Sequence, residues 1–230
     1  MYTLHLNIFL LHNNTETIPI NYHFGSIDKI FDVNENIDQN IIILTGANSG
    51  GKTTLLQTIS QIIIMAQMGL PVPAIANIGA FEELYYFSKS QGELSSGAFE
   101  TSIKQFTDAI VSNKQKIVLM DELEAITEPG AAAKVICSIL EMFHIKNNAC
   151  VILVSHLAEQ ILKIINIPFR IDGIEASGID NTGKLIVDRN PKFNYFAKSM
   201  PFFIIKKLYT QTSDETKKQI YEKMISYFTE

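Results

Sequence analysis

Arginine is almost missing from these 230 residues; only Arg170 and Arg189 occur. With 19 basic residues against 24 acidic ones, the formal net charge of −5 excludes a chain that coats nucleic acid by itself. Cysteine is equally scarce. Cys137 and Cys150 cannot build a disulfide framework and match no zinc spacing, and each lies in an apolar segment. Core packing in a reducing compartment is the expectation for both. Glycine, at 12, and proline, at 7, are too few for a collagen-like or low-complexity chain. No apolar run reaches the roughly 18 residues of a bilayer-spanning helix; the nearest approach, 59–68, is broken by Ser60, Gln61 and Gln67. The apolar start carries His5 and Asn7 and no basic stretch, which makes it a poor secretory signal. The 47% of hydrophobic residues is enough for one sizeable core and excludes disorder. A soluble, cytoplasmic chain without a membrane partner is expected.

Hydrophobic periodicity alternates along the chain. Residues 40–45 (NIIILT) read as a short buried strand ended by Gly46. From Thr53 the period becomes helical, through Leu55, Leu56, Ile59, Ile62, Ile63 and Ala66, with Gly69 and Pro71 as the stop. A second helix is expected to start near Ser95–Ser96, with Phe99, Ile103, Phe106 and Ile110 on its apolar stripe. Strands at 116–120 and 149–154 alternate with helices at 130–143 and 157–165. Near-continuous apolar strands alternating with helices predict an α/β fold, a mostly parallel sheet with helices on both faces. A small antiparallel β region is added by short strands within 3–31 and by a hairpin pairing 169–174 with 184–188 around Asn181-Thr182-Gly183. Two helices, 201–209 and 213–228, close the chain. The domain reading is 1–210 as one unit, with 211–230 as a helix that contacts a partner subunit or its own domain.

The strongest chemical signal is Gly46-Ala47-Asn48-Ser49-Gly50-Gly51-Lys52-Thr53, which fits G-x-x-x-x-G-K-[ST] between a buried strand and an amphipathic helix. Glycines let the backbone N–H groups wrap a phosphate chain, and the helix start adds about half a positive charge. Lys52 reaches the β- and γ-phosphates and the Thr53 hydroxyl ligates Mg²⁺. The strand 116–120 runs into Asp121 and Glu122. Asp121 is placed to hold the Mg²⁺ and its water shell, and Glu122 to act as general base on an attacking water.

Two further elements complete this reading. Leu94-Ser95-Ser96-Gly97 opens a helix 26 residues before Asp121 and offers hydroxyls, N–H groups and a positive dipole end to a γ-phosphate. Ser155-His156 directly follows the strand 149–154, so His156 can hydrogen-bond the γ-phosphate or the water. Many phosphate-loop ATPases use an arginine finger. Both arginines here come after His156, so a partner's serine-tipped helix is the expected substitute.

Together these residues resemble a known family. Residues 45–54 (TGANSGGKTT), then Gly69-Leu70-Pro71-Val72-Pro73-Ala74 one helix later, are similar to the ATPase domain of the MutS family of DNA mismatch-repair proteins. That family carries T-G-x-N-x-G-G-K-[ST] followed by an apolar run ending in G-x-x-[VI]-P-A. Leu119-Met120-Asp121-Glu122-Leu123 with Thr127, the serine-led segment 95–100, and Ser155-His156 resemble the family's further motifs. The resemblance spans about 40–199 and implies a phosphate-loop ATPase of the ABC type that homodimerises on ATP and drives a DNA-holding clamp. Carried over by position, the loop from Gly46 to Thr54, Asn48 and Lys52 above all, holds the nucleotide. Thr53 and Asp121 hold Mg²⁺, Glu122 serves the water and His156 the switch, while Ser95 and Ser96 act on the neighbouring subunit's ATP.

The sequence also departs from the family pattern. Glu124-Ala125-Ile126-Thr127 stands where a Gly-Arg-Gly-Thr stretch is usual, and Gly97 and Ala98 interrupt the usual Ser-Thr-Phe-Met start. The mismatch-reading, connector, lever and clamp domains have no counterpart in these residues, so DNA contact is expected mainly from elsewhere. The set resembles the branches of the family that lack mismatch reading. Two other readings stay open. One is an ABC-type head of a chromosome-maintenance or double-strand-break protein, although the roughly 40 residues between Thr53 and Ser95 leave no room for its coiled coil. The other is a nucleotide-gated dimerisation module that hydrolyses little.

Overall fold

The computed structural model describes residues 6–8, 19–25, 39–46, 50–88, 96–123, 128–179, 185–197 and 201–228. Its centre is a five-stranded, wholly parallel sheet of β3 (Ile41–Gly46), β5 (Glu83–Ser88), β6 (Lys116–Asp121), β7 (Ala149–Val154) and β8 (Arg170–Ile174), in the order β5-β6-β7-β3-β8. Side chains alternate across it as a period of two demands. Ile41, Ile43, Val118, Met120, Val151 and Leu153 enter one core, with Phe106 of α2 (Ser96–Val111), Ile136, Leu140 and Phe143 of α3 (Pro129–Lys146), and Ile161 of α4 (Ala158–Ile164). Ile42, Leu44, Ile117, Leu119, Cys150, Ile152 and Val154 enter the other, against Leu55, Leu56, Ile59, Ile62 and Ile63 of α1 (Lys52–Gln67). Parallel strands covered on both faces must be apolar on both, and β3, β6 and β7 are.

A three-stranded antiparallel sheet, β2-β1-β4, is built from β1 (Leu6–Ile8), β2 (Ile20–Tyr22) and β4 (Ala74–Ile75). Tyr22 and Phe24 attach it to the α1 side of the sheet. The antiparallel region differs from expectation at one point. Residues 169–174 form no hairpin with 184–188; β8 is instead an edge strand of the parallel sheet, paired with β3. The hairpin is made by β9 (Ala176–Ile179) and β10 (Leu185–Val187). The alternating polar residues of β8, Arg170 and Asp172, suggest a solvent face, but both are buried as an ion pair.

Chain order decides what meets at the sheet's carboxyl edge. From β3 the chain crosses to β5, steps back through β6 and β7, and places β8 on the far side of β3. So β7 lies between β3 and β6, with Leu44, Val154 and Asp121 in one register. Ligands of open α/β sheets bind outside this edge, where the strand order reverses. The last helices, α5 (Pro201–Gln211) and α6 (Glu215–Ser226), pack on each other, and α6 buries no residue. Among the described residues no helix is long and apolar enough to cross a membrane, and Cys137 and Cys150 are buried free thiols.

Candidate nucleotide-binding site

The strand-to-helix turn after β3 is shaped by glycines with different tasks. Gly46 has φ +126°, and a Cβ there would stand 2.3 Å from the carbonyl oxygen of Ile174 on β8. Gly51, with φ +88°, meets nothing within 4 Å and is required for its backbone alone. It precedes α1, which starts with a hydrogen bond from the Leu55 amide to the Gly51 carbonyl at 2.8 Å. Its N-cap, Gly51, has no side chain with which to cap it, and no acid occupies its first turn. The first N–H groups and positive dipole end of α1 thus receive no cap from Gly51, and the Asp121 carboxylate stands beside the first turn at Thr53.

Lys52 is only 3% exposed, and its Nζ donates to the Gly46 carbonyl at 2.7 Å, which lays the ammonium back over the turn. Gly50 is buried, whereas Thr53 and Thr54 are exposed. Ala47, Asn48 and Ser49 lie outside the described residues.

Thr53, 68 positions before Asp121 in sequence, donates from Oγ1 to Asp121 Oδ1 at 3.2 Å. Asp121 ends β6 and is 6% exposed. The next residue, Glu122, adopts φ +50°, unusual without a glycine, and its amide continues the ladder to the Val154 carbonyl at 3.1 Å. That turn directs the Glu122 carboxylate to His156, whose Nε2 is 3.3 Å from Oε1, with each side chain about a third exposed. Ser155, buried beneath them, accepts the Leu157 amide on Oγ at 3.0 Å and turns β7 into α4. One sheet edge thus gathers Gly46, Gly50, Gly51, Lys52, Thr53, Thr54, Asp121, Glu122 and His156.

Ser95 lies outside the described residues, and Ser96 opens α2. That helix packs over β5, with the rings of Phe106 and Phe87 4.3 Å apart. Since β5 is three places from β3, about 14 Å at ordinary strand spacing, α2 belongs to the side of the molecule away from its own chain's loop.

Neither arginine reaches the site. Arg170 is 1% exposed; its Nε and Nη2 donate to the Asp172 carboxylate at 2.9 and 2.8 Å, and Nη2 also donates to the His23 carbonyl at 2.6 Å. Tyr22 donates to Asp172 Oδ2 at 2.8 Å. Burial pushes the Asp172 carboxyl up despite Arg170, and raises the Tyr22 phenol well above its ordinary value. The cluster props the turn from behind, because Thr45 donates to the Asp172 carbonyl at 3.1 Å and accepts the Ala197 amide at 3.0 Å. Arg189 is exposed beyond β10.

Tyr86 of β5 is a residue that the motifs do not mark. Its hydroxyl is buried with no hydrogen-bond partner, and burial, reinforced by the nearby Asp121 carboxylate, pushes its phenol up to about 12. Only the strand pairing beside β6 could have signalled it.

The arrangement suits a magnesium-bound phosphate chain. Mg²⁺ prefers hard oxygen ligands and is usually held by one or two protein groups, with phosphates and water completing its shell. Thr53 and Asp121 supply such oxygens, and the described residues contain no cluster of three His, Cys, Asp or Glu that would suit a protein-only metal site. Gly46, where a Cβ would meet the Ile174 carbonyl, lets β8 pack closely against the start of the turn.

Residues 42–184 match the family model of MutS domain V. The chain belongs to the MutS domain V family. Within the MutS family it is 45% identical over 201 residues, 86% of its length, to the DNA-binding protein MutS2 of Pyrococcus furiosus, 35% of which is covered. It is 37% identical over 109 residues to the endonuclease MutS2 of Staphylococcus haemolyticus, covering 45% of this chain and 14% of that protein. The endonuclease MutS2 of Ruminiclostridium cellulolyticum is 31% identical over 145 residues, covering 61% of this chain and 17% of that protein. The chain thus spans about a third or less of the curated relatives it matches.

Proposed function

We propose that this MutS domain V chain is a Mg²⁺-dependent ATPase module of the ABC type that works as a nucleotide-sandwich dimer in a MutS2-like protein. The observation that carries the proposal is the Thr53–Asp121 contact across 68 residues, beside an uncapped α1 and the Glu122–His156 pair. Mg²⁺, when bound, supplies positive charge that offsets the negative charge of the phosphates. The α1 amides bind the phosphate oxygens, and Lys52 exchanges the Gly46 carbonyl for them. Thr53 and Asp121 would hold the ion. Glu122 accepts the proton of the attacking water, and His156 holds the Glu122 carboxylate in place before the reaction. Ser95 and Ser96 of a second copy close the site, consistent with α2 lying on the side away from its own loop.

In this reading residues 1–210 form the ATPase unit and 211–230 a helix for partner contact, supported by the lack of any buried residue in α6. DNA is held mainly by parts of the whole protein beyond this module. The test is Glu122→Gln. It should retain Mg-ATP binding, lower turnover by about a hundredfold or more, and accumulate an ATP-bound dimer in analytical ultracentrifugation. Unchanged turnover would remove Glu122 from the base role, and a wild type that dimerises on ATP without hydrolysis would leave a nucleotide-gated module.

A further inference from the structure

Tyr86 sits where the proposed metal site has a donor to gain. On β5 it pairs in register with Leu119 of β6, and Ser88 with Asp121. Tyr86 packs on the α1 side of the sheet beside Leu119, and Asp121, two residues on, projects to the same side, where Thr53 meets it. Asp121 is the diagonal neighbour of Tyr86 on the next strand, and its carboxylate is near enough to add to the effect of burial in raising the phenol. Its hydroxyl is buried and unpaired, a costly state in a folded protein and rare without a purpose. Asp121, for its part, accepts the Thr53 hydroxyl, and in the reading above both would hold the ion.

Resting on that reading, we propose that Tyr86 is a positioning residue of the site: its hydroxyl would donate to the Asp121 carboxylate when Thr53 and Asp121 hold the ion. Carboxylates that ligate metals are themselves hydrogen-bonded, and loss of such a partner typically weakens metal affinity about 10–100-fold. Here the donor comes from the strand that leads towards Ser96 and α2, so metal occupancy is felt on the side of the molecule expected to face a second copy.

The test is calorimetric ADP binding by the full chain, with and without Mg²⁺, for wild type, Tyr86→Phe, Thr53→Ala and the double variant. Tyr86→Phe should weaken Mg-ADP binding about tenfold or more and leave metal-free ADP binding unchanged. Its nucleotide-free melting temperature should not fall, because the hydroxyl removed has no partner in that state. The double variant should lose less than the two single losses combined, since both residues act through one ion. Equal losses with and without Mg²⁺ would reduce Tyr86 to a packing residue, and no loss in either condition would overturn the proposal. A wild type without Mg²⁺-dependent nucleotide binding would instead sink the phosphate-loop reading, and this proposal with it.

Discussion

Two helices of this chain begin in opposite ways. At α6 the Asp214 carboxylate accepts the amides of Thr216 and Lys217, and Glu215 adds a second acid to the first turn. At α1 there is neither cap nor acid. Their burial is also reversed. α6 buries nothing, whereas α1 buries Leu55, Leu56, Ile59, Ile62 and Ile63. A helix without a core to lean on needs local chemistry at its ends, because short helices are marginal in water. A helix held by about five large apolar side chains, each contributing roughly 1.5–3 kcal/mol on burial, can leave its first amides open. Packing therefore lets α1 begin at a glycine that cannot cap it, beside Asp121.

Three substitutions test that contrast, in descending order of effect. Gly46→Ala should be the most severe, because the new Cβ would meet a backbone oxygen at 2.3 Å from a φ of +126°. A loss of about 4 kcal/mol or more in urea unfolding is expected; a loss below 1 kcal/mol would mean that β8 yields easily. Asp214→Ala should remove about 1 kcal/mol from α6, seen as faster amide hydrogen exchange there, with Mg-ADP affinity unaffected. Thr54→Glu would give α1 the acid that it lacks. It should raise nucleotide-free stability by about 0.3–1 kcal/mol while weakening nucleotide binding several-fold. If instead it strengthened nucleotide binding, the open helix start would not be where phosphate lands.

The apolar strands and the loop motif were legible because they obey local rules. Residues 41–46, 116–121 and 149–154 are short, β-branched and buried on both sides, so their type is written in their composition. β5 escaped because ELYYFS at a sheet edge is half-buried and mixes acids with aromatics. β8 was misplaced because Arg170 and Asp172 look solvated until Tyr22 and the His23 carbonyl, about 150 residues away, enclose them. The roles assigned to Lys52, Thr53, Asp121, Glu122 and His156 rest on motif spacing, and the fold brings these residues to one edge. What spacing could not convey is the left-handed backbone of Glu122 and the orphaned hydroxyl of Tyr86, since both arise from strand neighbours distant in sequence.

The hydrogen bond that the Glu122 amide donates to the Val154 carbonyl has a mechanical outcome. It stitches the acid to the strand that carries His156, so the two side chains ride on one rail. Any tilt of that strand displaces the Glu122 carboxylate and the His156 ring together, with no long relay between them.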